Sequence, residues 1–474
     1  MTPKLPSSFC AAALLAAGLI NAAGEMTGDE LKSQRKSSLV FKSRDGVKAP
    51  GLKLERKDVS WWEDAKFGLF IHWGLYAIPA RGEWTMHNDK IPAAEYAKLA
   101  DEFNPRHFDA KEWARVAKAA GTKYMVLTAR HHDGFALWDS PASHAGYNSM
   151  KTAAHRDFVA EYTKACREAG LRVGLYYSPM DWRFPGYFKP KELPENAALM
   201  KKQAYGQLEE LMSNYGRIDV LWYDGSWLAH QGTDAEAAWF WDPVKLNRMV
   251  RKHQPMAVIN PRSGWEGDFQ CDEGGHEVKG PIVNDVPWEK CLNLNMASWG
   301  FNHWQNLMKR DDVIRMLVNV VGRGGNVLLN VGPDRDGVIP PKHVERLAEV
   351  GQWLETYGDA IYGTRPGPFQ PGDWGVSTHQ KQTVYVHVLN WPGEKLKLPA
   401  IQAKVMRATV VGGGEALVSQ TDHSLELSVS PANRSDPDTV IALELDRPAA
   451  SIPLLGESPE ESGAAKSSVT APPQ

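Results

Sequence analysis

From Trp61 onward, short apolar runs alternate with longer stretches in which apolar positions recur at helical spacing. The runs predict strands at Phe67 to Trp73, Tyr124 to Ala129, Val173 to Ser178, Val220 to Tyr223, Ala257 to Asn260 and Val327 to Val331. Amphipathic helices are predicted at Ala110 to Ala120, Arg156 to Ala169, Ala197 to Tyr215 and Asp311 to Val321, with another at Lys342 to Tyr357. Continuous apolar strands separated by helices are the sequence form of parallel βα units covered on both faces. A series this long fits a (β/α)8-like barrel over residues 58–364, with a doubly wound sheet as the alternative.

The pattern changes after Gly363-Thr364-Arg365-Pro366-Gly367-Pro368. Strand-like runs at Thr383 to Leu389, Lys404 to Val411, Leu425 to Val429 and Val440 to Leu445 are divided by Gly, Pro, Asn and Asp turns. They predict a C-terminal antiparallel β-sandwich over residues 366–447. The stretch 448–474, rich in Pro, Ser, Ala and Glu, is expected to stay disordered. At the other end, Lys4, an apolar stretch from Phe9 to Ile20 and then Asn21-Ala22-Ala23 have the form of a secretory signal peptide over residues 1–23. Export to a periplasm or beyond is therefore expected. Residues 24–57 follow as a charged extension.

A net charge of -3 argues against nucleic acid or a polybasic membrane contact, and leaves a neutral small molecule or glycan as partner. The 18 Trp residues suit stacking on the C–H faces of sugars, although Trp is also a core residue. Beyond the leader only Cys166, Cys271 and Cys291 remain, so at most one disulfide can form. Cys271 with Cys291 is the one pairing to consider, and free thiols are the alternative.

Candidate chemistry lies at the strand ends. An Asp before Gly commonly does no more than shape a turn, which would be the plain reading of Asp224 after Val220-Leu221-Trp222-Tyr223. Other strands, however, deliver Ile71-His72-Trp73, then Arg130-His131-His132-Asp133, then Tyr176-Tyr177-Ser178, and finally Asn260-Pro261-Arg262, while Glu83-Trp84 follows the first. Histidines, carboxylates, an Arg and indoles converging on one rim of a parallel barrel point to an active site. His131-His132-Asp133 lacks the helical spacing of metal-binding histidines, and neighbours on an extended segment are expected to face opposite ways. Gly322-Arg323-Gly324-Gly325 precedes a strand and reads as a helix stop, and no G-x-S-x-G elbow is present. Paired carboxylates flanked by His, Trp and Arg are the equipment for cleaving a glycosidic bond.

The run Ala65-Lys66-Phe67-Gly68-Leu69-Phe70-Ile71-His72-Trp73-Gly74, with Gly82-Glu83-Trp84, Ala120-Gly121-Thr122-Lys123-Tyr124, His131-His132-Asp133-Gly134-Phe135 and Asn326 to Pro333, resembles the α-L-fucosidases of glycoside hydrolase family twenty-nine. The resemblance runs from about Trp61 to Thr364. It implies a retaining exo-glycosidase that removes terminal α-L-fucose from glycans with no metal or organic cofactor. It places the nucleophile at Asp224, and the sugar-binding set at His72, Glu83, Trp84, His131, His132, Tyr177, Trp222, Arg262 and Trp299. Arg130 departs from the Lys usual before the two histidines. The acid/base maps to Glu273 in Gly267-Asp268-Phe269-Gln270-Cys271-Asp272-Glu273, where Cys-Asp replaces the family's Thr-Pro. Glu266 and Glu277 stand behind it, and Glu289 and Glu83 are further carboxyls nearby. A fucose-binding protein that has lost its acid is the alternative reading, and the altered motif is its only support.

Overall fold

The structure is a computed structural model that describes residues 37–38 and 46–456. The expected leader lies outside the described residues. Eight parallel strands form one curled sheet: β1 (Phe67–Ile71), β2 (Tyr124–Arg130), β3 (Arg172–Tyr177), β4 (Val220–Tyr223), β5 (Val258–Ile259), β6 (Gln270–Glu273), β7 (Trp288–Asn293) and β8 (Asn326–Val331). Sequence neighbours pair throughout except β5 and β6, and β8 returns to β1, so the order is β5-β4-β3-β2-β1-β8-β7-β6. The principal helices are α1 (Arg56–Ala65), α2 (Ala110–Ala119), α3 (Phe158–Glu168), α4 (Pro194–Asn214), α5 (Pro243–His253), α6 (Arg310–Val321) and α7 (Pro341–Tyr357). Asp109 and Asp157 cap α2 and α3 by accepting backbone N–H bonds, which fixes where those helices start.

Side chains alternate across each strand, and register carries that alternation from one strand to the next. Leu69, Leu127, Leu175, Leu221 and Leu329 face outward into the helical layer. Phe70, Val126, Tyr176, Trp222 and Leu328 fill the interior, where Val59 and Trp62 of α1 join them. Gly68 makes this filling possible, because a Cβ there would stand 2.4 Å from the ring of Tyr124. The interior is a packed core, and chemistry is left to the strand ends.

Between β5 and β6 no ladder forms, and a side chain does the work of a strand edge. Ile259 donates its N–H to Oδ2 of Asp268 at 2.8 Å, while the Asp268 N–H returns to the Ile259 carbonyl at 2.7 Å. Arg251 neutralises the same carboxylate at 2.5 Å, and Leu54 N–H takes its other oxygen at 2.8 Å. The Arg251 charge and the two N–H donors offset the cost of burying this carboxylate at the seam.

After α7 the chain builds β9 (Gly375–Gln380), β10 (Thr383–Val388), β11 (Lys395–Pro399), β12 (Val405–Val410), β13 (Ala416–Gln420), β14 (Ser424–Val429) and β15 (Thr439–Leu445). An antiparallel sheet holds β9, β10, β15 and β12, together with the short Arg365–Pro366 strand, and faces a second sheet of order β11-β14-β13. Val376 and Leu389 of this domain pack into the outer core of the barrel, and Arg315 of α6 donates to the Leu389 carbonyl at 2.9 Å. Residues 448–456 are ordered, contrary to the expected disorder from Pro448. Ala449 and Ile452 are buried in the sandwich, and Leu455 N–H donates to the Pro368 carbonyl at 2.8 Å. Cys166, Cys271 and Cys291 are free thiols, so the disulfide considered between the last two does not form.

Candidate active site

The strand ends enclose a pocket of about 410 Å³, mouth included, lined by His72, Glu83, Trp84, His131, His132, Trp222, Asp224, Arg262, Glu273 and Trp299, and also by Phe70, Tyr176 and Trp227. Two inward series aim the carboxylates. Val220, Trp222 and Asp224 follow one another down the inner face of β4, and Cys271 and Glu273 do so on β6. Gly225 turns the chain away behind Asp224 with φ of 74°, and a Cβ there would stand 2.9 Å from the His132 ring.

Arg262 ties the two acids together. Its Nη1 donates to Oδ1 of Asp224 at 2.8 Å, and its Nη2 donates to Oε2 of Glu273. The guanidinium lies over the Trp222 ring at 4.9 Å, a cation–π contact that fixes its height. The other Asp224 oxygen, Oδ2, accepts from the Tyr176 hydroxyl at 2.9 Å, with His132 Nε2 3.7 Å away. Side-chain exposure is 15% for Asp224 and 35% for Glu273, which places Glu273 nearer the mouth.

The histidines are uncharged. Burial pushes His72 down to about 3 and holds His131 and His132 well below the usual imidazole range. Asn330 donates from Nδ2 to Asn293 at 2.9 Å and to the Trp299 carbonyl at 2.7 Å, which turns its Oδ1 toward His72 Nδ1 at 2.7 Å. Nδ1 of His72 must therefore carry the proton, and Nε2 keeps a lone pair to accept a ligand hydroxyl. Glu83 is buried and accepts the Gly300 N–H at 2.8 Å, and burial raises its carboxyl above the ordinary range. Aromatic walls complete the site. Trp299 sits 5.1 Å from His72, and Trp84 meets His132 edge-on at 5.4 Å.

One expected binding residue is misplaced. Tyr177 points outward, donating to Gln207 at 2.9 Å, while its neighbour Tyr176 lines the pocket. Register explains the exchange: Tyr176 lies beside inward Trp222, and Tyr177 beside outward Tyr223. That phase was readable, since Asp224 and Trp222 share parity and parallel neighbours share faces. His131 and His132 line the pocket together, where the resemblance puts both, although alternation along an extended segment would turn them opposite ways; their rings lie 4.1 Å apart. They sit in the turn after β2, closed by Gly134 N–H to the His131 carbonyl at 3.0 Å, so strand alternation no longer applies. Asp133 faces away and accepts from Tyr96 at 3.2 Å. Among the described residues no three His, Cys, Asp or Glu side chains gather as metal donors would.

The other carboxyls separate cleanly. Glu266 lies 3.6 Å from Lys53, and Glu277 borders a different groove with Lys279 at 3.0 Å. Glu289 sits one layer beneath the pocket, accepting the Trp222 indole N–H at 3.0 Å and the Tyr124 hydroxyl. Arg130 is a buried brace between strand ends, donating to the carbonyls of Ser178 and Met180 and to Asp181 at 2.6 Å. Its wider fork makes three contacts that the single ammonium of a Lys could not reproduce in this geometry.

A family model described as α-L-fucosidase matches residues 43–359. The tissue α-L-fucosidase of Mus musculus is 34% identical over 366 residues, covering 70% of this chain and 78% of that protein. Among solved structures, α-L-fucosidase isoenzyme 1 from Paenibacillus thiaminolyticus is 35% identical, with a TM-score of 0.74 over 82% of this chain and 99% of its own. An α-L-fucosidase of family GH29 from Bacteroides thetaiotaomicron, trapped as a covalent intermediate in complex with 2-fluoro-fucosyl fluoride, is 30% identical. It aligns with a TM-score of 0.76 over 86% of this chain and all of its own length, 100%.

Proposed function

The chain belongs to the α-L-fucosidase family, glycoside hydrolase family twenty-nine, and from that premise we propose that it removes terminal α-L-fucose from glycans with Asp224 as nucleophile and Glu273 as acid/base. Enzymes of this family retain anomeric configuration. One observation carries the residue assignment: a single guanidinium, Arg262, binds both carboxylates, at the ends of β4 and β6, within one pocket.

In the first step an Asp224 oxygen attacks C1 of the fucosyl ring as the glycosidic C–O bond breaks, and Glu273 gives its proton to the departing oxygen. Oε2 of Glu273 already accepts from Arg262, so the transferable proton belongs on Oε1. Ester formation consumes the charge on Asp224. The Arg262 cation then faces Glu273 alone, which favours the carboxylate that must next take a proton from water. Water attacks C1, the ester bond to Asp224 breaks, and two inversions give net retention. His72 Nε2, Glu83 and the other histidines are placed to hold ring hydroxyls, while Trp299 and Phe70 offer apolar faces to the 6-deoxy methyl group.

Export remains part of this proposal and rests on the form of residues 1–23. Among the described residues no helix is long and apolar enough to cross a membrane.

The acid assignment is tested by Glu273→Ala. Activity should collapse on an unactivated fucoside and survive far better on one with an acidic aryl leaving group, because such a group departs without a proton. Azide should restore turnover of the aryl substrate and yield the α-fucosyl azide. Equal losses on both substrates without rescue would remove Glu273 from this role.

A further inference from the structure

Trp304 is 84% exposed, the most exposed large hydrophobic side chain among the described residues. Leaving so much indole in water is unfavourable unless something covers it in use. The backbone beneath it is nonetheless fixed on both sides. Its N–H donates to Asn302 Oδ1 at 2.8 Å, and its carbonyl accepts from Asn295 Nδ2 at 3.1 Å. The same Asn295 receives the Asn306 N–H at 2.9 Å, and Gln305 meets His343 at 2.7 Å. The indole is thus displayed from an ordered loop and needs little ordering when it meets a partner.

Position points to what that partner is. The loop leaves the end of β7, which pairs with β6, the strand that ends in Glu273. It places Trp299 in the pocket, contacts Glu83 through Gly300, and is tied to the segment before Glu83 by Gly82 N–H to Phe301 O at 3.2 Å and His303 N–H to Ala80 O at 3.0 Å. Trp304 follows Trp299 by five residues, so the two lie within about 17 Å, the reach of a short oligosaccharide. A proton donor faces the leaving group, so the acid's side of the pocket is where the aglycone sits. The exposed chain neighbours of Trp304 are His303, Gln305 and Asn306, all with hydrogen-bonding side chains. That suits a neutral sugar ring, with C–H groups on its face and hydroxyls at its edge, better than the apolar core of a protein contact.

We infer that Trp304 is a stacking platform for a sugar ring of the aglycone, giving the enzyme a preference for fucosylated oligosaccharides over simple aryl fucosides. The inference rests on the fucosidase reading and adds a second contact outside the fucose pocket.

Steady-state kinetics of the wild type, Trp304→Ala and Trp304→Phe on an aryl α-L-fucoside and on a series of fucosylated tri- and tetrasaccharides test it. Trp304→Ala should raise KM about three- to tenfold on the oligosaccharide that the wild type prefers, as expected for loss of one stacking contact, with kcat and the aryl substrate changed less than about twofold. Trp304→Phe should fall between. Parallel losses on both substrates, an unchanged oligosaccharide KM, or a wild type with no KM advantage on any oligosaccharide would overturn this inference alone. So would a change confined to self-association in sedimentation. A wild type that leaves the aryl fucoside intact would instead overturn the fucosidase reading, and this inference with it.

Discussion

Glu289 is a carboxyl sealed inside the barrel, 1% exposed, beneath the indole that supports Arg262. Burial pushes it up to about 7, while an unfolded chain would hold it near ~4.3. Between those values the folded protein keeps a proton that the unfolded chain releases, so stability falls as pH rises. The contribution is complete below the unfolded value and lost as pH climbs through about 7. At 1.36 kcal/mol per unit, the interval from about pH 5 to about pH 8 removes roughly 3 kcal/mol. Glu289→Gln keeps the shape and an acceptor for Trp222 but cannot ionise. Its stability relative to the wild type should therefore improve by about 3 kcal/mol between about pH 5 and about pH 8, read from urea unfolding followed by Trp fluorescence. Activity should stay within about threefold, since one hydrogen-bond acceptor replaces another under the indole. A difference between the two proteins that is the same at both pH values would refute the assignment of that titration to Glu289.

Tyr176→Phe removes a hydrogen bond to the charged Asp224, worth about 1.5–3 kcal/mol, and should lower kcat/KM about ten- to a hundredfold, whereas Tyr177→Phe should leave kcat/KM within about twofold. Arg262→Lys cannot reach both carboxylates with one ammonium, and kcat should fall by about a hundredfold or more with a smaller change in KM, measured on the aryl fucoside. Asp268→Ala strips the β5–β6 seam of its acceptors and strands Arg251; the unfolding free energy should drop by about 3–5 kcal/mol, with KM nearly unchanged in the fraction that remains folded.

Six barrel strands are visible in the sequence because β1 to β5 and β8 are apolar on both faces. The remaining two hide behind charge. Gln270-Cys271-Asp272-Glu273 and Trp288-Glu289-Lys290-Cys291-Leu292-Asn293 have no apolar periodicity, since Lys290 pairs with Asp272 at 2.9 Å and Glu289 is satisfied by Trp222 and Tyr124. Those compensations are tertiary and leave no local pattern. The polar strand ends are legible as an active site because five of them recur with the same chemistry, yet which member of a doublet points inward is not a matter of composition. Tyr176 against Tyr177 is decided by phase with Trp222, and His131 with His132 by a turn that cancels strand alternation. The Asp268 seam is invisible for a similar reason, because an Asp after Gly reads as a turn until the strand edges it joins are brought together.

The central claim is that Asp224 carries the sugar between the two steps of hydrolysis. Incubation with 2-fluoro-fucosyl fluoride, protease digestion and fragment sequencing by mass spectrometry tests it directly, because the 2-fluoro group slows both steps while the anomeric fluoride, a good leaving group, keeps ester formation faster than its release. The adduct should appear on the tryptic peptide 218–245 and resolve to Asp224, in place of Asp219, Asp234, Glu236 or Asp242. Asp224→Asn should abolish both labelling and turnover. A fucosyl ester on any other residue, or full labelling of Asp224→Asn, would contradict the account.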